Sequence, residues 1–194
     1  KGALRMKLSD FQSKLSVLND LLYFDENDYL REKTTDVAKL KKIIADAKHI
    51  LSENKEHTYY FCGIIGNLYR ICEEPQKAFD YLHECLDISL VEGDMKKEIV
   101  SLIRLGEALK YDSQPQKALT LFNSAYTKCC ENQVELYADF ALQHKGKCLM
   151  ELGELEEAER CFTQSLKLRQ QKANPSLIKS TKLALELVRN LNQT

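Results

Sequence analysis

Apolar residues recur at intervals of three and four over most of the chain, which is the spacing of one buried helix face. Leu102, Leu105 and Leu109 show this spacing near the middle of the sequence, and Leu142 and Leu149 repeat it further on. Short polar breaks separate these stretches. The pattern predicts a succession of amphipathic helices.

The predicted helices form pairs that repeat every forty residues. Residues 74–82 read EPQKAFDYL, residues 114–122 read QPQKALTLF, and residues 155–162 continue the series with LEEAERCF. A glycine precedes each copy, at the same interval: Gly66, Gly106 and Gly146. The prolines of the first two copies predict the start of the second helix of each pair, because proline needs no hydrogen-bond partner in the first helical turn. A two-helix unit cannot bury its apolar face alone, so we expect the copies to stack.

The spacing of small and large residues in these copies resembles the tetratricopeptide repeat (TPR). In the second copy Ala118 follows Gly106 by twelve residues and Phe122 follows four later, and the other two copies keep this register. The resemblance covers residues 57–172, with a repeat of about 40 residues in place of the usual 34 or so. In length these repeats look like those of kinesin light chains and of Rap-type signalling-peptide receptors. The resemblance implies an all-α fold, a right-handed superhelical array of antiparallel helix pairs known as a TPR α-solenoid.

We expect a single TPR-like domain over residues 1–194. Its predicted parts are a degenerate first helix pair at 4–55, repeats at 57–92, 97–132 and 134–172, and a capping helix at 175–192. The first pair depends on helical periodicity in residues 4–24 and 35–54, with an acidic loop between them.

Composition narrows the classes of function. The charges of the 28 basic and 29 acidic residues nearly cancel. The chain therefore lacks the net positive charge that attracts nucleic acids or anionic membranes. The seven cysteines include no C-x-x-C spacing and lie in helical pattern, so we interpret them, the adjacent Cys129 and Cys130 included, as buried spacers of a reducing compartment. No apolar run approaches the roughly 20 residues of a membrane span. We therefore predict a cytoplasmic protein that binds no nucleic acid and inserts in no membrane.

Residues that could carry chemistry form no convincing constellation. Residues 25–36 begin like a calcium loop, but Leu30 stands where the turn requires glycine and Tyr29 replaces a ligand. The four histidines lie in different units, with no Ser-His-Asp or Cys-His arrangement. We expect neither a cofactor nor a metal, and we expect no enzymatic activity.

In the family that the repeats resemble, the first helix of each pair lines the concave side of the array. Helical period then places eleven residues on or beside this groove as candidates for partner binding: Tyr60, Asn67, Arg70, Ile103, Arg104, Glu107, Lys110, Phe140, Gln143, His144 and Lys147. Members that clamp a C-terminal carboxylate use a lysine and an asparagine one turn apart; here Asn67 matches and Gly63 replaces the lysine. Val100 and Met150 lie on the same predicted face.

The leading hypothesis is a protein–protein interaction module, a scaffold or adaptor, that binds a peptide or a helix of a partner in this groove. Arg70, Lys110 and Lys147 would make the groove positive and favour an acidic or phosphorylated segment. Alternatively, these cations are solvated and paired along their own helices, as Lys147 could be with Glu151. The alternative function is a structural subunit that packs into a larger complex through its convex face and its ends.

Overall fold

A computed structural model describes residues 8–193, which form nine α-helices and one antiparallel pair of strands. The first part of the chain contains α1 (Leu8–Ser16), β1 (Leu22–Asp25), β2 (Arg31–Thr34) and α2 (Val37–Glu53). The helices that follow are α3 (Thr58–Ile71), α4 (Pro75–Glu92), α5 (Met95–Tyr111), α6 (Pro115–Glu131), α7 (Ala138–Glu151), α8 (Leu155–Gln171) and α9 (Pro175–Asn192).

Local sequence signals set the helix starts. Pro75 and Pro115 occupy the first turns of α4 and α6, as the repeat pattern predicts. The Asp36 and Asp94 side chains accept hydrogen bonds from the first backbone N–H groups of α2 and α5, and Asn174 does the same for α9. Each cap satisfies N–H groups that have no partner inside the helix.

Helices that are consecutive in sequence pack against each other from α2 to α9, which confirms the predicted all-α solenoid. The three glycines of the repeat lie where two helices of a pair approach most closely. A Cβ atom at Gly106 or Gly146 would lie 2.6 Å from the ring of Phe122 or Phe162, and one at Gly66 would lie 2.6 Å from Leu82. A larger residue at these positions would force the helices apart.

The backbone repeats the same period as the sequence. Positive φ angles occur forty residues apart at two sites in each repeat, after the first helix and after the second: Glu73, Ser113 and Gly153, and Gly93, Gln133 and Ala173. The left-handed conformation turns the chain sharply at the end of a helix, and glycine adopts it with least strain.

The start of the chain differs from the prediction of a helix over residues 4–24. Residues 4–7 lie outside the described part; α1 ends at Ser16, a 3₁₀ turn follows, and β1 begins at Leu22. The expected acidic loop contains a tight turn and β2, so residues 22–34 form a β-hairpin in which Phe24 lies opposite Glu32. A hairpin of four-residue strands is marginal alone. Its contacts with distant helices supply the missing stabilisation.

The core follows the stacking of the helices. Phe61 and Ile65 of α3 pack with α1 and α2 at one end, and Leu142 and Leu149 of α7 pack with α8 and α9 at the other. Leu30, from the hairpin, is 2% exposed and joins this second cluster. None of the described helices is long and apolar enough to cross a membrane.

One part of the cysteine prediction is wrong. Six of the seven cysteines are buried, but Cys130 is exposed. Cys129 occupies the inward position of α6, so its neighbour, one residue on, must point to another side of the helix.

Candidate functional site

The β-hairpin lies across the carboxyl-terminal halves of α3, α5 and α7. Arg31 of β2 binds Glu151 of α7 through two hydrogen bonds of 2.8 and 3.2 Å, and it donates to the main-chain oxygen of Lys110 at 3.0 Å. Glu32 accepts a hydrogen bond of 2.7 Å from Arg70 of α3. The hairpin therefore fills this half of the groove with a segment of the same chain.

Tyr111, at the end of α5, holds the outer edge of β2. Its hydroxyl accepts from the main-chain N–H of Glu32 at 2.6 Å and donates to the main-chain oxygen of the same residue at 3.0 Å. The guanidinium groups of Arg31 and Arg70 lie 5.1 and 4.8 Å from the centre of its ring. Burial raises the pKa of the Tyr111 hydroxyl to about 12, so it stays protonated and able to donate.

Two of the three predicted groove cations are buried in ion pairs. Lys110 has no exposed surface and lies 3.4 Å from Glu107 and 3.2 Å from Glu151. Arg70 lies 3.6 Å from Glu107, in addition to its bond with Glu32. Burial opposes ionisation of Glu107, but Lys110, His144 and Arg70 outweigh it and hold the pKa of this carboxyl well below its usual range.

Lys147, the third cation, is buried without a carboxylate. Its ammonium donates to the main-chain oxygen of Leu30 at 2.8 Å and lies 4.2 Å from the centre of the Phe24 ring. Within residues 8–193 no carboxylate lies within 4.0 Å of it, because Glu151, its suggested partner, binds Arg31 and Lys110 instead. Burial, reinforced by the charge of Lys110, lowers the pKa of Lys147 to about 7.

A cavity of about 370 Å³ lies between the hairpin and the amino-terminal halves of α5 and α7. Nine of the eleven predicted groove residues line it: Asn67, Arg70, Ile103, Arg104, Glu107, Phe140, Gln143, His144 and Lys147. Val100 also lines it, whereas Met150 is buried in the core. The other two predicted residues lie elsewhere, since Tyr60 is exposed beside Phe61 and Lys110 is enclosed under the hairpin.

Two polar side chains reach this cavity with unused donors. The guanidinium of Arg104 lies over Gly63 of α3, where a Cβ atom would overlap it, and it forms no ion pair within residues 8–193. Gln143 is 3% exposed, and its amide oxygen accepts from Thr181 at 3.0 Å and from Ser165 at 3.5 Å. Its amide nitrogen has no partner among the described residues.

Several residues that line the cavity were not predicted from the sequence: Tyr137, Leu177 and Ser180, together with residues of the hairpin and of α8. Phe24 and Glu32 enter it from the hairpin, and Arg169 enters it from α8, where it binds Asp139 at 2.9 Å and Thr181 at 2.7 Å. Arg169 lies on the same inward face of α8 as Phe162 and Ser165. A charged residue on this otherwise uncharged face is the sequence signal that could have identified it as a site residue. Asp139 and Arg169 lie thirty residues apart, so no local sequence rule could predict that they pair.

The described residues contain no group of three or more His, Cys, Asp or Glu side chains that could hold a metal ion. Asp25 and Asp28, the acids that suggested a calcium loop, lie 3.0 and 2.8 Å from the ammonium of Lys33. Bonding to Lys33 lowers the pKa of Asp25. Their charges stabilise the hairpin turn.

The fold and the repeat define the class of the protein, a TPR-like α-solenoid. A family model described as tetratricopeptide repeat matches residues 140–172, which lie within the third predicted copy. The sequence matches no curated protein.

Among solved structures the chain is similar to the apo form of RapI, with 15% identity and a TM-score of 0.68 over 94% of this chain and 62% of that one. It is also similar to a Rap protein complexed with competence and sporulation factor, with 18% identity and a TM-score of 0.67 over 75% of this chain and 42% of that one. Kinesin light chain repeats of Podosopora anserina have 12% identity and a TM-score of 0.63, over 97% of this chain and 89% of that one. The chain thus spans less than two thirds of either Rap protein.

Proposed function

We propose that this protein is an interaction module that binds an extended segment of a partner protein in the part of the groove that the hairpin leaves open. The observation that carries the proposal is the cavity itself, which has the size of a ligand pocket and brings together apolar and polar side chains from five helices, α3, α5, α7, α8 and α9. Val100, Ile103 and Phe140 offer apolar contacts, Arg104 offers a positive charge, and Gln143 offers an unused hydrogen-bond donor.

The similarity in fold to a Rap protein solved with a bound factor supports a binding role over a catalytic one. The hairpin supports an extended ligand, because the groove already holds one extended strand by the two main-chain hydrogen bonds between Tyr111 and Glu32. A partner segment beside it would use the same kind of contact.

Photo-crosslinking tests the proposal. We would select a random displayed peptide library against the protein, then add the selected peptide to variants that carry a photoreactive residue at Ser180, which lines the cavity, or at Thr120, which is exposed on α6. Crosslinking from Ser180 and not from Thr120 is expected. The reverse result would indicate binding through the convex face and favour the structural-subunit alternative.

A further inference from the structure

The cavity contains a buried positive charge that the protein does not balance. Lys147 is 5% exposed, and the charged groups that act on it most strongly are Lys110, Glu107, Glu32 and Arg70. With the adjoining Arg31–Glu151 pair included, four cations, Lys147 among them, share three carboxylates. A buried ammonium is strongly disfavoured unless a negative charge compensates it or it loses its proton.

Arg104 and Gln143 add to this imbalance from two other sides of the cavity. Arg104 brings a second cation without an ion pair, and Gln143 brings an amide nitrogen that is buried and unbonded within the described part of the chain. A buried N–H group without an acceptor is costly, so it marks a place where a ligand oxygen is expected.

We propose that the cavity is a binding site for the carboxylate of one Asp or Glu side chain in an extended partner segment. Arg104 and Lys147 supply the positive charge, and the amide of Gln143 supplies a directed N–H group. The inference rests on the proposed function and adds the chemistry of the ligand. The hairpin provides the model for it, because the side chain of Glu32 projects from an extended strand and binds Arg70 in the same groove.

The excess of one positive charge around Lys147 favours a carboxylate over a phosphate. A carboxylate brings a single negative charge, which balances the buried ammonium of Lys147; Arg104 is only half-buried, so water screens part of its charge. A phosphate would bring close to two charges into a site already occupied by Glu107 and Glu32. The acidic side chain is thus the better complement to the cavity.

Four short acetylated peptides test the proposal: acetyl-Leu-Glu-Leu-amide, its Gln counterpart, the Gln peptide with a free carboxyl terminus, and the amide of a phosphoserine counterpart. The protein would be labelled with ¹³C at the lysine Cε atoms, with the Lys147 signal assigned from the spectrum of Lys147→Met. The Glu peptide should bind and move the titration midpoint of Lys147 from about pH 7 towards that of an ordinary lysine. The Gln peptide should bind at least about tenfold more weakly.

Variants connect the binding to the named residues. Arg104→Gln should weaken binding of the Glu peptide by about tenfold, whereas Arg104→Lys should weaken it by only a few-fold because the charge remains. Arg160→Gln, on an exposed arginine of α8 that pairs with Glu157, is the matched control and should bind as the wild type does. Circular dichroism of each variant confirms that the helices persist.

Each other outcome overturns the proposal in a defined way. Equal binding of the Glu and Gln peptides, or an unchanged Lys147 midpoint, rejects a carboxylate site. Preference for the free carboxyl terminus or for phosphoserine by tenfold or more rejects the acidic side chain as the ligand. Crosslinking from Ser180 that Arg104→Gln leaves intact rejects the carboxylate site but preserves the proposed function; absence of crosslinking from Ser180 in the wild type rejects both.

Discussion

Replacement of Lys147 by methionine should stabilise the protein, although it removes two contacts. The pKa of Lys147 falls from its ordinary 10.5 to about 7 on folding, which corresponds to a loss of about 5 kcal/mol of stability at pH 7 and below. Methionine has nearly the same length and no charge. It gives up the hydrogen bond to Leu30, about 1 kcal/mol, and the contact with the Phe24 ring, about 2 kcal/mol when desolvated. The expected net gain is about 1 to 3 kcal/mol.

The gain should depend on pH with a defined sign. Between pH 7 and 10.5 the unfolded chain retains the Lys147 proton and the folded chain does not, so the stability of the wild type rises with pH in this window. The advantage of Lys147→Met is therefore largest at pH 7 and below, and it shrinks towards pH 10. Urea denaturation of both proteins at pH 6, 7, 8 and 9 measures the difference.

Lys110→Met is the matched control, because it makes the same substitution at a buried lysine of α5, the first helix of the preceding pair. Lys110 lies beside both Glu107 and Glu151, so its removal leaves buried carboxylates short of a cation. It should lower the free energy of unfolding by about 3 to 5 kcal/mol. The reasoning is refuted if Lys147→Met is less stable than the wild type at pH 7, or if its advantage does not change with pH.

Three further predictions concern the solenoid. Gly106→Leu should destabilise the protein by about 1 to 3 kcal/mol or more, because the new side chain would overlap the Phe122 ring; wild-type stability in urea would contradict the helix crossing. Ala173→Gly should raise the free energy of unfolding by about 1 kcal/mol, because the φ of residue 173 is +52°; a decrease would show that this turn is not left-handed. Cys130 should be the one cysteine that reacts quickly with a thiol reagent in the native protein, and Cys130→Ser should abolish this phase.

The solenoid could be predicted because its signals are local. The helices from Thr58 to Gln171 follow from a period that three copies share, and prolines and capping residues mark where several helices begin, α9 included. Each signal spans only a few residues, so the sequence displays it directly. The predicted fold class is confirmed for this reason.

The hairpin could not be predicted, because its stabilising contacts are distant in sequence. Arg31 and its partner Glu151 are 120 residues apart, and Glu32 and Tyr111 are 79 apart. Residues 22–25 read LYFD, which continues a helical pattern as readily as it begins a strand. Tyr29 and Leu30 also adopt positive φ angles, which bulky side chains rarely accept without tertiary support.

The sequence predicted most of the residues that line the cavity, but it did not predict which of them are ion-paired. Helical period on the first helices named nine residues that the structure places around one cavity. It could not show that Lys110 is enclosed in ion pairs or that Lys147 lacks one, because both depend on which carboxylates the hairpin occupies. Arg31 binds Glu151, so Lys147 donates its hydrogen bond to the main-chain oxygen of Leu30 instead of to a carboxylate.

The destabilising position of Lys147 is itself an argument for a ligand. A residue that lowers stability in the unbound protein, where methionine would serve the fold better, is typical of a functional site. The same groove shows how a segment is held: Glu32 binds Arg70, and the main-chain oxygen of Leu30 binds Lys147. The open half retains the cation Arg104 and the N–H of Gln143, with no acidic partner from the described chain. An acidic segment beside the hairpin would repeat the contacts that the groove already makes and would restore the charge balance that Lys147 disturbs.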